Sequence, residues 1–184
     1  MPRLLAASIL AIVTVFLVGC DSPAPGMYDI VMTLDPTLKT AGTQNFPPVT
    51  CQVVGVANKA ERDQILATTV SSQLGKSAAD LKASNVLTFD PSQAANGSMV
   101  ISKTNPMWTA WKSPQFIIVT ANIPDVKAGA GGNVNDPRRV WFSTNKLRWD
   151  AGKATIKFRV MRDRIMKETA ETPLDPKLVT PDEF

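Results

Sequence analysis

Few residues of this 184-residue chain are of the types that perform chemistry. The sequence contains no histidine, which excludes serine–histidine and cysteine–histidine triads, histidine-ligated zinc and imidazole base catalysis in their usual forms. Its two cysteines are Cys20 and Cys51. Because no imidazole can activate Cys51, we predict a buried, inert thiol there rather than a catalytic nucleophile. Cys20 follows an apolar N-terminal segment, which points to a different chemistry.

Carboxylates and glycines give weaker indications of a site. Asp125, Asp136 and Asp150 could pair as general acid and base, but each lies near a proline or glycine, where aspartate usually shapes a turn. The glycine-rich segment 127–133 lacks the Gly-Lys-Ser/Thr ending of a phosphate-binding loop, and no spaced acidic ligands for calcium follow it. We therefore predict a protein that is not an enzyme and that holds no metal or other cofactor. A hydrolase built on aspartates is the catalytic alternative.

The N-terminus has the pattern of a secretory signal. Arg3 precedes an apolar run from Leu4 to Val18, which is shorter than the roughly 20 residues that span a bilayer. The sequence Leu17-Val18-Gly19-Cys20 resembles the bacterial lipobox, in which the cysteine sulfur receives diacylglycerol and the chain is cleaved before it. We therefore predict a lipoprotein signal peptide at residues 1–19 and a membrane anchor on Cys20. The alternatives are a plain signal peptide or an uncleaved transmembrane anchor.

Residues near this anchor and later in the chain bear on location and partners. Asp21 resembles an inner-membrane retention signal of enteric lipoproteins, so the inner membrane is one expected site of the anchor. Tryptophan beside basic residues, as in Arg138-Arg139-Val140-Trp141, also occurs in sites for single-stranded nucleic acid. Because a lipid-anchored protein outside the cytoplasm seldom meets nucleic acid, we predict none as a partner.

The elements that position these residues are predicted to be mainly strands. With 44% hydrophobic and 20% charged residues, the composition is that of a globular protein. Turn signals separate about seven short apolar or alternating segments, which predicts a mainly-β fold, a β-sandwich, over residues 27–167. The most apolar of them, 116–123, is predicted to be covered on both faces. The predicted strands are 28–34, 49–57, 86–89, 99–101, 116–123, 139–142 and 154–161.

One helix is predicted between the second and third strands. Asn58 is a suitable N-cap, Glu61 completes a capping box, and Gly75 lies just past the C-terminal end. Apolar residues recur at helical spacing between these points, and charged residues such as Arg62 are expected on the solvated side. A second, shorter helical turn is predicted to end at Ala83.

Both ends of the mature chain are predicted to lie outside the sandwich. Residues 20–26 contain two prolines and a glycine, which is typical of a short tether, here a lipidated one. Residues 168–184 contain three prolines and five acidic residues against one lysine. This composition favours an exposed, acidic and mostly disordered tail.

Two tryptophans have a spacing that permits two interpretations. Trp108 and Trp111 lie three residues apart, on one face of a helical turn. They can cap one end of the sandwich, or they can form an aromatic patch that binds a partner, because tryptophan and methionine are enriched at the centres of interfaces. Both residues are therefore candidate partner-binding positions.

The order of these features resembles the type VI secretion lipoprotein family (TssJ). The resemblance rests on a lipobox, a first strand ending in Leu34-Asp35-Pro36 with a polar loop, and a second strand, Pro48-Val49-Thr50-Cys51-Gln52-Val53. A helix, a strand meander and the late apolar strand Ile118-Val119-Thr120-Ala121-Asn122 follow. It implies a transthyretin-like β-sandwich, tethered to the periplasmic face of the outer membrane, that binds the periplasmic part of a large inner-membrane core component.

The resemblance also implies a site. In the family the loop between the first two strands is a contact region, which makes Thr40, Ala41, Gly42, Thr43 and Gln44 the candidate partner-binding positions here. Two hypotheses follow. In the first, the protein is a non-catalytic scaffold whose partners are protein components of an envelope-spanning complex. In the second, it is a periplasmic ligand-binding or envelope-maintenance lipoprotein with a cleft lined by Trp108 and Trp111.

Overall fold

Two four-stranded β-sheets enclose the core of the protein in a computed structural model that describes residues 25–42, 44–123, 126, 134–149 and 154–173. The first sheet has the order β4 (Ser98–Ile101), β1 (Asp29–Leu34), β7 (Thr155–Val160) and β8 (Ile165–Lys167). The second has the order β3 (Leu87–Phe89), β2 (Cys51–Val56), β5 (Phe116–Ala121) and β6 (Arg139–Ser143). All neighbours are antiparallel except β1 and β7, which are parallel. The predicted β-sandwich is confirmed.

Period-two alternation explains how the sheets meet. In β1 the residues Ile30, Met32 and Leu34 are buried between the sheets, while the residues between them are half-buried. In β5 all six residues are buried, because one face packs against the first sheet and the other against helices. The prediction that this strand is covered on both faces is confirmed. Burial of each large apolar side chain stabilises the fold by about 1.5–3 kcal/mol.

The helical insert between β2 and β3 has three parts: α1 (Lys59–Ala67), α2 (Val70–Leu74) and α3 (Ala78–Ala83). The predicted N-cap of α1 is present, with the Asn58 side chain accepting from the Glu61 N–H at 2.9 Å, but the Glu61 carboxylate accepts from the Ala57 N–H and not from that of Asn58, as a capping box would require. The single helix expected to reach Gly75 is divided, however. Thr68 ends α1 in extended backbone, and the Thr69 hydroxyl caps α2 by accepting from Ser72 N–H. Threonine hydroxyls form such local bonds readily, which interrupts a helix.

Arg62 of α1 is buried, contrary to the expectation that it faces solvent. Its guanidinium lies 4.7 Å from the ring centre of Phe116 and 4.3 Å from that of Trp141. It also pairs with Asp63 at 2.8 Å. The outer face of the second sheet is thus covered in part by an arginine stacked on aromatic rings, an attraction worth about 0.5–2 kcal/mol.

An eighth strand, β8, closes one side of the sandwich. The Ile165 N–H donates to the Pro137 carbonyl at 2.8 Å, which joins the edges of the two sheets. Residues 168–173, expected to belong to the tail, continue along the first sheet, where the Glu168 N–H donates to the Lys157 carbonyl. Glu171 pairs with both Arg148 and Lys167. The rest of the tail, 174–184, lies outside the described residues, as do the signal peptide and Cys20.

The connections gather at two opposite ends of the sandwich. We call the end where β1 begins the tether end, because Pro25 bridges to Asn145 there and the Gly26 N–H donates to the Thr144 carbonyl at 2.7 Å. It comprises residues 25–28, 102–115 and 143–149. The opposite end carries the β1–β2 loop, residues 35–50. No helix within the described residues has the length and apolar character to cross a bilayer.

Candidate functional site

The β1–β2 loop begins with a turn that the sequence itself specifies. β1 ends at Leu34, and Pro36 opens a 3₁₀ turn at Pro36–Leu38. The Asp35 carboxylate accepts from the Thr37 N–H at 2.9 Å and from the Thr37 hydroxyl at 2.6 Å. These hydrogen bonds, with the charge of Arg159, lower the pKa of Asp35. Leu38 is buried at the end of the turn and fixes the loop to the core.

The tip of the loop presents small polar and apolar residues to solvent. Thr40, Ala41, Gly42 and Gln44 are exposed, and Thr43 lies outside the described residues. The Thr40 N–H donates to the Asn45 carbonyl at 3.2 Å and closes the tip. The described candidate positions are therefore brought together in one hydrogen-bonded, accessible turn.

The segment between β3 and β4, residues 90–97, supports the β1–β2 loop. Phe46 packs on Gly97, which precedes β4, so closely that a Cβ on Gly97 would lie 2.5 Å from the Phe46 ring. Gly97 also has φ of +66°, a conformation that glycine adopts without strain. A cleft of about 300 Å³ lies between the two loops. Its lining residues are Gln44, Asn45, Phe46, Pro48, Ser92, Gln93, Ala94 and Ala95.

Asp90 joins the two loops. Its carboxylate accepts from the Val49 N–H at 3.2 Å and from the Ser92 N–H at 2.9 Å. Partial burial acts to raise the pKa of Asp90, but hydrogen bonds from Ser92, Gln93 and Val49 outweigh it and lower the pKa. The ionised carboxylate is therefore the form that holds the loops together.

Acid is expected to destabilise the protein through these aspartates. The pKa values of Asp35 and Asp90 are lowered in the folded state. Their contribution to the free energy of unfolding is therefore fully present above the unfolded pKa of about 3.9, and it is lost as the pH falls from there through the folded pKa. Urea unfolding from pH 7 to pH 3 should give a midpoint that is flat above about pH 5 and then decreases. In Asp90→Asn the decrease should be shallower, and an equally steep decrease in that variant would contradict this role.

The tryptophan pair lies at the tether end, away from the β1–β2 loop. Trp108 belongs to α4 (Met107–Ala110) and is 2% exposed, and Trp111 is 5% exposed. Their ring centres are 5.3 Å apart in an edge-to-face arrangement, and the Trp111 indole N–H donates to the Asn85 carbonyl at 2.6 Å. Buried rings of this kind cap the core and offer no aromatic surface. The structure thus separates the two predicted groups of partner-binding residues.

A second cleft, of about 450 Å³, lies between β6 and the turn before β8. Asp136 on its wall pairs with Arg138 at 2.7 Å, and hydrogen bonds from Arg138 lower the pKa of Asp136. Neither Trp108 nor Trp111 lines this cleft or the smaller one. The ligand-binding hypothesis, which assigned them to a cleft, therefore gains no support from their positions.

Groups with catalytic or metal-binding potential are few in the part of the chain that the structure describes. Cys51 is fully buried, as predicted, and burial together with the nearby charge of Asp90 raises the pKa of its thiol. No group of three acidic or cysteine side chains suited to a metal ion occurs among the described residues. Asp125, Asp150 and the glycine-rich segment 127–133 lie outside them.

Comparison with known proteins gives similarities of fold at low sequence identity. No family model matches the chain, and no curated protein does. Among solved structures, the C-terminal domain of the T6SS protein TssM from EAEC is similar over 76% of this chain and 98% of that one, with 10% identity and a TM-score of 0.47. Lip from Serratia marcescens, a membrane-bound component of the type VI secretion system, is similar over 79% of this chain and 97% of its own, with 12% identity and a TM-score of 0.40. The T6SS lipoprotein TssJ1 from Pseudomonas aeruginosa is similar over 82% of this chain and 99% of its own, with 9% identity and a TM-score of 0.41.

Proposed function

We propose that this protein is a non-catalytic scaffold of a trans-envelope secretion complex. Lipid on Cys20 holds it in the outer membrane, facing the periplasm, and the β1–β2 loop binds the periplasmic part of a large inner-membrane core component. The resemblance of the sequence to the type VI secretion lipoproteins suggests the role. The observation that carries the proposal is the position of the loop at the end of the sandwich opposite the tether.

The position of the loop suits a partner that approaches from the periplasm. β1 runs directly from the tether end to the loop, and its six residues span about 20 Å at roughly 3.3 Å each. A body held at the tether end therefore directs Thr40, Ala41 and Gly42 away from its own membrane. The loop is also ordered before binding by Asp35, Asp90 and the Phe46–Gly97 contact. Such preorganisation reduces the entropy lost on association.

A variant at the loop tip tests this proposal. In Ala41→Arg, a long charged side chain replaces a methyl group at an exposed position, so the partner should be displaced while the fold is kept. The matched control is Ala60→Arg, at an exposed alanine on α1. We expect capture of the core component from detergent-solubilised membranes by the full-length, tagged protein to decrease about tenfold or more in Ala41→Arg and little in the control.

Three outcomes would contradict the proposal in whole or in part. Equal capture by Ala41→Arg and Ala60→Arg would show that the loop tip does not bind the partner. Recovery of wild-type protein without any large membrane-protein partner, under conditions in which secretion is active, would exclude the scaffold role. Sedimentation of the wild-type protein with inner-membrane rather than outer-membrane vesicles would contradict the assigned location and support the retention effect of Asp21.

A further inference from the structure

We propose that the tether end of the sandwich is itself a membrane-contact surface, which lies against the headgroups of a bilayer containing anionic lipid. This inference rests on the lipid anchor at Cys20 that the proposed function includes. The sequence of the anchor alone would permit a body that moves freely above the membrane. Three features of the tether end indicate that it is instead held against the surface.

The first feature is the short reach of the tether. The chain joins the body at Pro25, which bridges to Asn145, and the Gly26 N–H is bonded to Thr144. Between Cys20 and Pro25 a fully extended chain covers at most about 18 Å, at roughly 3.6 Å per residue. Residues 143–149 therefore cannot move far from the bilayer that holds the lipid.

The second feature is exposed apolar surface at this end. Met27 is 60% exposed, and it lies two residues from the bridge at Pro25. Leu147 is 42% exposed, and it lies in the 3₁₀ turn that follows Asn145. Side chains of this kind beside a lipid anchor can enter the boundary between headgroups and acyl chains, where their apolar surface leaves water.

The third feature is positive charge around these apolar residues. Lys103, Lys112 and Lys146 are exposed and form no ion pair within the described part of the chain. Lys103 is placed at this end by its N–H, which donates to Asp29 at 2.7 Å. Lys112 lies two residues before Pro114, whose carbonyl accepts from the Thr144 hydroxyl.

The acidic groups that the structure describes near this surface take part in local hydrogen bonds or ion pairs. The Asp29 carboxylate accepts from Lys103 N–H, Glu61 accepts from Ala57 N–H, and Glu171 pairs with Arg148 and Lys167. Free ammonium groups beside apolar side chains are the combination that binds anionic membrane surfaces. Because the tether keeps this end next to a bilayer, the lipid surface is the partner that the geometry favours over an acidic protein.

The experiment measures the distance of two sites from the lipid. A nitrobenzoxadiazole fluorophore is attached to Leu147→Cys or, as the matched control, to Ala41→Cys at the opposite end. Cys51 is fully buried and does not compete for the label. The full-length lipidated protein is placed in vesicles of phosphatidylethanolamine and phosphatidylglycerol that contain a spin-labelled quencher lipid. We expect quenching about threefold stronger at position 147 than at position 41, increasing with the fraction of phosphatidylglycerol.

The triple variant Lys103→Glu, Lys112→Glu, Lys146→Glu should reduce quenching at position 147 and abolish its increase with phosphatidylglycerol, without changing flotation with the vesicles. Equal quenching at the two positions in wild-type protein that still floats would overturn the membrane-contact surface and leave the anchor intact. Quenching independent of phosphatidylglycerol would exclude anionic recognition. If wild-type protein incorporates no alkyne-palmitate label at Cys20 and does not float, the anchor fails, and this inference fails with it.

Discussion

Replacing Phe142 by alanine is expected to lower the free energy of unfolding by about 3–5 kcal/mol, because the side chain is fully buried and its removal leaves a cavity that the core fills only in part. Phe142 lies at the centre of an aromatic cluster between the sheets. Its ring centre is 5.8 Å from that of Trp149 and 5.7 Å from that of Phe158, and Trp149 in turn contacts Tyr28. Loss of Phe142 therefore weakens the attachment of the tether end as well as the core.

Urea denaturation followed by tryptophan fluorescence measures this effect. The control is Val100→Ala on the edge strand β4, where the side chain is 61% exposed and the expected change is within about 0.5 kcal/mol. If Phe142→Ala unfolds at the same midpoint as the control, the core does not have the packing described here.

The second large effect is expected for Arg139→Met. Arg139 is buried beside the end of α1, where Nη1 donates to the carbonyls of Ile65 and Leu66 at 3.2 and 3.0 Å and Nη2 donates to that of Thr68 at 3.0 Å. These carbonyls carry the partial negative charge of the helix end, which the guanidinium neutralises. Methionine removes this donor from the Leu66 and Thr68 carbonyls, at a cost of about 1–3 kcal/mol, whereas the Ile65 carbonyl still accepts from the Thr68 N–H and hydroxyl.

The control makes the same substitution at an exposed arginine, Arg164. Arg164 is exposed and pairs with exposed Asp163 in water, so Arg164→Met should leave the unfolding midpoint nearly unchanged. Hydrogen exchange gives a local readout. The amides at the end of α1 should exchange faster than in the wild-type protein in Arg139→Met and at the wild-type rate in Arg164→Met. Equal exchange and equal midpoints in the two variants would show that Arg139 does not hold the helix.

Much of the fold could be predicted because its pattern is local. Alternation of apolar and polar residues identified the strands that enclose the core, and the continuous apolar run at Phe116–Ala121 identified the strand covered on both faces. Asn58 and Glu61 identified the start of α1 for the same reason, since an N-cap involves only residues close in sequence. Burial of Cys51 was predicted from its chemistry, because no imidazole can activate the thiol, and β2 does place it in the core.

The features that sequence reasoning missed depend on residues far apart in the chain. Arg62 has the pattern of a solvated helix face and is buried only because Phe116 and Trp141 provide a surface on which its guanidinium stacks. The strand β8 has three residues, too few for a recognisable alternation, and exists through its pairing with β7. The division of α1 from α2 could have been anticipated from the adjacent threonines, which disfavour helix and favour caps.

The candidate site was predictable in part. Asp35-Pro36 marked the end of β1 and the start of a polar loop, and the described tip residues are exposed as a loop should be. Its support by the β3–β4 segment was not predictable, because neither Phe46 nor Gly97 carries a signal for the other. The helical spacing of Trp108 and Trp111 fitted two interpretations equally, and only the packing at the tether end separates them.

The central position of β1 has a mechanical consequence for an anchored protein. β1 is bonded on one side to β4 and on the other to β7, over most of its length on both. Its start is continuous with the tether, and its end leads into the β1–β2 loop. In the proposed anchored role, tension between a membrane at one end and a load at the other would run along this strand, perpendicular to the bonds on both sides. Such tension shears all of these bonds together instead of opening them one after another, so the strand that bears the load is the one best placed to resist being pulled out.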